Sequence, residues 1–227
     1  MLQWEKLPEV MQTEPVREYY EILSKKKVSL FLKRAFDIVC SLLLLLLLLP
    51  VMLVLALWIK ADSRGPVLFR QERVTRYGRR FRIFKFRTMI PNAESVGTQV
   101  TVGNDMRVTR AGRFLRKCRL DELPQLLNVF FGSMSFVGTR PEVVRYVERY
   151  TPEMYATLLL PAGVTSQASI RFKDEEKLLS GADNADDVYV EKVLPEKMKY
   201  NLESIRKFSF WREISTMFQT VFAVFFR

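Results

Sequence analysis

The longest uninterrupted apolar run in the chain extends from Ile38 to Ile59, 22 residues without a charge, with Leu42–Leu49 unbroken. A helix of that length can cross a bilayer. Pro50 falls inside the run, deletes a backbone hydrogen bond and crowds the preceding turn, which predicts a kink or break. Both flanks are basic: Lys25, Lys26, Lys27, Lys33 and Arg34 precede the run, and Lys60, Arg64, Arg70 and Arg73 follow it. Such flanks favour the cytoplasmic face at both ends. A broken helix that enters one leaflet and returns satisfies both features; a simple span that tolerates its proline is the alternative. Arg34 and Asp37 are spaced to pair on one helix face at the mouth of the segment.

Elsewhere the periods are shorter. Val67–Val74 and Phe81–Met89 are rich in β-formers and flank the turn signal Arg76-Tyr77-Gly78-Arg79, which predicts a hairpin. Residues 106–131 read as helix, with a stripe at Leu115, Leu123, Leu126, Leu127 and Phe130 and a start or kink at Pro124. Val16–Leu23 predicts a short helix, and residues 141–160 predict helix interrupted at Thr151-Pro152. Leu160–Ser169 reads as loop, and Asp174–Leu179 and Asp187–Val193 as short helices. Phe208, Trp211, Ile214, Phe218, Val221, Phe222 and Phe225 recur at helical spacing. They predict an amphipathic helix lying in a membrane interface or facing the core.

The expected fold is α+β and mostly helical, with a small hairpin. Its divisions are an extension over 1–30 with no assigned chemistry, a membrane helix over 31–60, a main domain over 61–206 and an amphipathic helix over 207–227. The first thirty residues lack the basic-then-apolar pattern of a signal peptide.

Charge narrows the chemistry. The net charge is +11, from 36 basic and 25 acidic residues. Residues 70–119 hold fourteen Lys and Arg against Glu72, Glu94 and Asp105, so this stretch carries the whole excess. Such concentration implies an anionic partner. The chain has no histidine and two cysteines. His-based general acid-base catalysis, Ser-His-Asp triads and His-bearing zinc sites are therefore excluded. Acids and bases must come from Asp, Glu, Lys or Tyr, and a metal held by oxygen, Mg²⁺ foremost, is expected.

Asp121 and Glu122 are adjacent carboxylates within the basic stretch, just before Pro124. Neighbouring cations predict an ionised Asp121, which can attack phosphorus when positive charge stabilises the phosphoryl oxygens. First-turn acids of an ordinary helix are the plainer explanation of the pair. Lys85, Arg87, Arg110, Arg113, Arg116 and Arg140 are candidate phosphate clamps. Gly-rich phosphate loops are absent. Phe81–Phe86 interleaves aromatics with cations, but beside a membrane segment a strand with one buried face is preferred to nucleic-acid stacking.

Several ungapped motifs occur in order: Lys33-Arg34-x-x-Asp37, Lys85-Phe86-Arg87-Thr88-Met89, Leu120-Asp121-Glu122-Leu123-Pro124-Gln125-Leu126-x-Asn128-Val129 and Gly132-x-Met134-Ser135-Phe136-Val137-Gly138-x-Arg140-Pro141. From about residue 31 onward the chain resembles the bacterial sugar transferases of the small monotopic phosphoglycosyl transferase family. The resemblance implies transfer of a phosphosugar from a UDP-sugar to polyprenol phosphate, releasing UMP, at the cytoplasmic face of the bacterial inner membrane. It implies the start of a membrane-linked glycan such as capsule, O-antigen, exopolysaccharide or a glycoprotein glycan. Carried over, Asp121 is the nucleophile and a Mg²⁺ contact, and Glu122 assists, accepting a proton from the polyprenol phosphate. Lys85, Arg116 and Arg140 contact phosphate or nucleotide, the anchor is a broken re-entrant helix in inner-membrane lipid, and the chain is expected to be a minimal catalytic form. Nucleic acid is not an expected partner, and no oligomeric state is implied.

Three departures stand out. Leu49-Pro50 replaces Ser-Pro, and Thr139-Arg140-Pro141 replaces Pro-Arg-Pro. Ala162-Gly163-Val164-Thr165-Ser166-Gln167-Ala168-Ser169 replaces Pro-Gly-Ile-Thr-Gly-Trp-Ala-Gln, which is expected to alter the sugar accepted. A non-catalytic basic module on a membrane surface is the rival from another class. A phosphohydrolase using the same aspartate is the rival within enzymes.

Overall fold

The computed structural model describes residues 1–91, 105–172 and 185–225. The chain opens with α1 (Glu14–Ser24) and α2 (Lys27–Asp62), then forms the antiparallel hairpin β1 (Leu68–Val74) and β2 (Arg80–Phe86). Next come α3 (Arg110–Lys117), a 3-10 turn at Leu120–Glu122 and α4 (Gln125–Phe131). β3 (Met134–Val137), α5 (Val144–Val147), β4 (Ala162–Thr165) and α6 (Gln167–Arg171) follow. The chain closes with α7 (Ala185–Val188), a π turn at Tyr189–Val193, α8 (Leu194–Arg206) and α9 (Phe210–Phe225). The architecture is α+β and mostly helical, as the patterning predicts.

The hairpin pairs Leu68 with Phe86 and Val74 with Arg80. Its turn uses Tyr77 at φ 61° and Gly78 at φ 71°, the left-handed region that lets so tight a connection close. β3 and β4 form a second, parallel pair that periodicity did not reveal, since residues 160–169 read as loop. Four residues per strand are too few for an alternating signal. The pairing needs glycines: a Cβ on Gly163 would lie 2.2 Å from the Gly138 amide nitrogen. The expected helix over 106–131 is two helices joined by the 3-10 turn, because Arg119 adopts φ 57° and ends the first of them. Residues 141–160 hold only α5 and a 3-10 segment at Met154–Leu159. Asp174–Leu179 lies outside the described residues.

The N-terminal extension, unassigned from sequence, belongs to the core. Met11, Val16, Tyr19 and Leu23 are fully buried and pack in one cluster with Leu159, Leu194 and Met198. Each such burial stabilises the fold by about 1.5–3 kcal/mol.

The 36 residues of α2 form one helical element, with Pro50 inside it and no interruption there. The helix runs through Pro50, so the proline ends neither part of α2; spanning and interfacial helices tolerate the hydrogen bond it deletes. One stripe of α2 packs on the domain. Phe36, Cys40, Leu44 and Leu48 meet β3, β4 and α4, while Leu55 and Ile59 meet Phe86 and Leu115. The opposite stripe is exposed, including Leu43, Leu47, Val54 and Leu57. The expected Arg34–Asp37 pair is replaced by separate anchors. Arg34 donates to the Val129 and Phe130 carbonyls at the end of α4, at 2.7 and 2.8 Å. Asp37 accepts from the Phe136 amide at 3.1 Å. A charge held by backbone groups of a packed neighbour outcompetes an exposed pair along the helix. Lys33 donates to the Val137 carbonyl at 2.6 Å and pairs with Glu213 of α9.

Candidate active site

The two carboxylates are delivered by a strained turn. Arg119, in the left-handed region without being glycine, sits directly before Leu120–Glu122. Such residues persist only where the surroundings hold them, and they cluster at working sites. Pro124 then starts α4. Asn128, one turn into α4, fixes this helix against β2: its Oδ1 accepts from the Phe84 amide at 2.8 Å and its Nδ2 donates to the Arg82 carbonyl at 3.0 Å. Two residues on from Ile83, Lys85 lies on the same strand face. Its Nζ reaches Glu122 Oε1 at 3.1 Å.

Arg140 reaches the same oxygen. The loop after β3 is held by β4, with the Gly138 amide donating to the Thr165 carbonyl at 3.0 Å and the Gly163 amide to the Thr139 carbonyl at 2.8 Å. Arg140 Nη2 then stands 2.6 Å from Glu122 Oε1. The Thr-for-Pro departure at residue 139 therefore leaves this arginine aimed at the pair.

Arg116 comes from α3. That helix lies so close to Thr88 that a Cβ on Gly112 would fall 2.0 Å from the Thr88 carbonyl oxygen. One turn later, Arg116 Nε donates to Thr88 Oγ1 at 2.9 Å, and its charge acts on Asp121. Arg110 and Arg113 are exposed on the same helix.

The neighbouring carboxylates shift in opposite directions. Burial raises the Asp121 pKa above its ordinary value, and the Glu122 charge raises it further; Lys85, Arg116 and Arg119 oppose this without prevailing. The sequence-based expectation of an Asp121 acidified by its cations is thus reversed, because burial disfavours the charged form more strongly. For Glu122 burial also acts upward, but Arg140 and Lys85 outweigh it and hold the carboxyl well below the usual range. Lys85 is itself pushed down by burial, against the pull of Glu122.

Arg87 stands apart. It is buried, and its guanidinium donates to the Ser63 carbonyl and hydroxyl at 2.7 and 2.8 Å and to the Arg64 carbonyl at 3.0 Å. It ties the C-terminal end of α2 to β2. Its Nη1 and Nη2 groups are engaged at the end of α2, while its Nε is buried without a hydrogen-bond partner; these contacts favour a structural role over the expected phosphate clamp. Asp62, at the same helix end, accepts from the Ala111 amide at 3.0 Å and so caps α3.

The residues that spacing did not single out are Asn128 and Arg119. Asn128 lies inside one of the ungapped motifs and could have been found by proximity to Asp121. Nothing in the sequence marks Arg119 as left-handed.

A cavity of about 550 Å³ lies between α6, α8 and α9, and neither Asp121 nor Glu122 lines it. Ser166 and Gln167, two of the departing positions, do line it. Gln167 donates to Thr216 at 3.0 Å and Gln219 at 2.8 Å. α9 thus turns hydroxyls and amides inward, while Trp211, Phe218 and Phe222 are exposed. Of the two expected placements of this helix, the core-facing one is not observed for those three side chains.

A family model described as bacterial sugar transferase matches residues 28–227. The chain is 38% identical over 195 residues to a protein of Aeromonas hydrophila named UDP-N-acetylgalactosamine-undecaprenyl-phosphate N-acetylgalactosaminephosphotransferase, covering 84% of this chain and 43% of that one. It is 39% identical over 203 residues to the UDP-glucose:undecaprenyl-phosphate glucose-1-phosphate transferase of Escherichia coli strain K12, covering 87% and 41%. A protein of the same name from Caulobacter vibrioides is 36% identical over 192 residues, covering 83% and 68%. The chain spans about two fifths of the length of the first two relatives.

Proposed function

The chain belongs to the bacterial sugar transferase family, and from that membership we propose that it transfers a phosphosugar from a UDP-sugar to polyprenol phosphate and releases UMP. The observation that carries this reading is the division of labour in the carboxylate pair. Glu122 holds Lys85 and Arg140, while among the described residues no ion pair includes Asp121. A buried carboxylate bordered by the charges of Lys85, Arg116 and Arg119 is suited to meet a phosphorus centre.

In the proposed first step, an Asp121 carboxylate oxygen bonds to the phosphorus that bears the sugar. The bond from that phosphorus to the bridging oxygen breaks, and UMP departs with the electron pair. In the second step a phosphate oxygen of the polyprenol phosphate attacks the same phosphorus. The acyl phosphate bond breaks, Asp121 is restored, and a polyprenyl diphosphosugar leaves. A phosphate monoester with a second pKa near ~6 is mostly dianionic at neutral pH and attacks without a base. Glu122, acidified by its two cations, serves this scheme by holding Arg140 and Lys85 rather than by accepting a proton.

Mg²⁺ suits the donor set. Among the described residues no cluster of three or more Cys, Asp or Glu side chains converges. Mg²⁺ commonly uses one or two carboxylates, completed by substrate phosphates and water. Asp121 would supply that carboxylate. When bound, the ion would offset negative charge on the phosphoryl oxygens.

The membrane part of the reading rests on α2 and α9. Their outward stripes are apolar, and the Lys33–Glu213 pair and the Phe36–Phe210 contact, with ring centroids 5.9 Å apart, join them. Both ends of α2 are fastened to one domain, through Lys33 and Asp37 at the start and through the Arg87 contacts at the end. A helix tied at both ends to one polar body favours docking in a single leaflet over a span. The cytoplasmic face of the inner membrane is where UDP-sugars are available. The relatives of nearly equal identity carry names with different sugars, so the donor is proposed as a class.

The test is UMP release by the purified chain with Mg²⁺ and a panel of UDP-sugars, with and without polyprenol phosphate. Multiple turnovers that require the lipid support the transferase. Sugar phosphate release without lipid would indicate a hydrolase, and no release with any sugar would favour a binding module.

A further inference from the structure

Behind Arg140 lies a buried polar cluster that the proposed chemistry does not use. Glu142, Tyr189 and Lys197 are all at least nine-tenths buried. Tyr189 donates its hydroxyl to Glu142 Oε1 at 2.6 Å, Lys197 Nζ lies 3.0 Å from the Tyr189 hydroxyl, and Lys197 Nζ lies 3.8 Å from Glu142 Oε1. The Tyr189 ring packs on Tyr146 with centroids 4.8 Å apart. Burying an acid and a base together is costly unless geometry and hydrogen bonds compensate, so a core that needed only packing would be better served by apolar side chains.

The loop that carries Arg140 and Glu142 is fastened to β1, and the cluster holds the Glu142 side chain at its end. The Val74 amide donates to the Glu142 carbonyl at 3.0 Å, and Arg73 Nη1 donates to the Pro141 carbonyl at 3.3 Å. Arg73 and Arg140 repel each other, and Glu142 attracts Arg73. Tyr189 also lies in a π-helical turn, Tyr189–Val193, an irregularity frequent at functional sites. Glu142 thus lies two residues beyond Arg140 on a loop held to β1 by Val74 and Arg73.

We infer that Glu142, oriented by Tyr189 and Lys197, is a positioning residue that holds the Thr139–Glu142 turn so that Arg140 meets Glu122 and the donor's phosphates. This rests on the transferase reading for the identity of the donor. It goes beyond that reading by assigning the buried cluster a role in donor binding that acts only through Arg140.

The experiment is a double-mutant cycle on the full chain in detergent, read by UDP affinity in titration calorimetry and by the split between kcat and donor KM. Glu142→Gln keeps the shape and removes the charge. It should weaken UDP binding roughly ten-fold, the order expected for one lost charge-assisted interaction. Arg140→Ala should weaken binding by at least as much, and the double variant no further than Arg140→Ala alone. Losses that multiply in the double variant, or wild-type affinity in Glu142→Gln, would overturn the inference. If Glu142→Gln fails to melt cooperatively, Tyr189→Phe takes its place: it keeps the ring on Tyr146 and should give a smaller loss that disappears on the Arg140→Ala background. A Tyr189→Phe loss that persists there would equally overturn the inference. UMP release by the wild type judges the transferase reading separately. UDP binding that depends on Arg140 and Glu142 without turnover would sink that reading and leave the positioning role standing, whereas no UDP binding by the wild type would sink both.

Discussion

Arg140 Nη2 stands 2.6 Å from Glu122 Oε1, and Lys85 Nζ meets the same oxygen at 3.1 Å. These contacts set two adjacent carboxylates to opposite tasks. Glu122 is stabilised as an anion and organises cations. Asp121 is destabilised as an anion by burial and by the Glu122 charge, which in the proposed chemistry suits it to react.

Stability should separate the two residues. A carboxyl with a depressed folded pKa contributes stability above its unfolded pKa, lost as pH falls through the folded value. Glu122→Gln should therefore destabilise the protein at neutral pH by about 3 kcal/mol, the scale for breaking a buried pair. Asp121 has the opposite sign, because its ionised form costs stability above its raised folded pKa. Asp121→Asn should leave the melting temperature unchanged or higher while turnover is lost. Thermal melts of both variants check this; a large drop for Asp121→Asn would contradict it.

The acid limb of the pH profile carries the same sign. In the proposed first step attack needs ionised Asp121, whose pKa is raised by burial and by Glu122. kcat/KM should fall with decreasing pH at a value above the ordinary aspartate range near ~3.9. Removing the Glu122 charge should move that limb to lower pH. A limb that stays in place in Glu122→Gln would show that another group titrates.

The hydrogen bonds of Arg87 to Ser63 and Arg64 predict a role in the fold rather than at the substrate. Arg87→Ala should cost about 3 kcal/mol, since a buried charged donor set at the end of α2 is lost. Arg87→Lys should restore little, because one ammonium cannot replace the guanidinium fork. Melting temperature and donor KM distinguish the roles: unchanged melting with a raised KM would return Arg87 to the phosphate site.

The first residues should be indispensable although the family model begins at residue 28. Deleting residues 1–24 removes Met11, Val16, Tyr19 and Leu23 from the core, about 6–12 kcal/mol of burial. That is comparable with a whole domain's stability. Loss of a cooperative melt is expected; a truncated chain that melts like the full one would make the extension dispensable.

Much of this was legible in residues 31–141. The apolar run marked α2, β-formers around Tyr77-Gly78 marked the hairpin, and the basic stretch around Asp121 marked the candidate site. Periodicity could not show that Lys33 and Asp37 reach across about a hundred residues to β3, because long-range contacts leave no local period. It could not reveal the direction of the Asp121 shift either, since counting neighbouring cations omits burial. Arg87 and Arg140 look alike in sequence, and only the location of the α2 end separates them. The short helix of the extension was legible, but its place in the core was not, because its buried positions, Met11, Val16, Tyr19 and Leu23, are set among charges and prolines.

The most direct test of the proposed chemistry is UMP release on the first turnover without polyprenol phosphate, with the protein mass measured in parallel. A covalent route through Asp121 predicts a burst of up to one UMP per chain and a mass increase of one phosphosugar. Both should be discharged by adding polyprenol phosphate and absent in Asp121→Asn. UMP release that needs the lipid from the first turnover, with no change in protein mass, would contradict it.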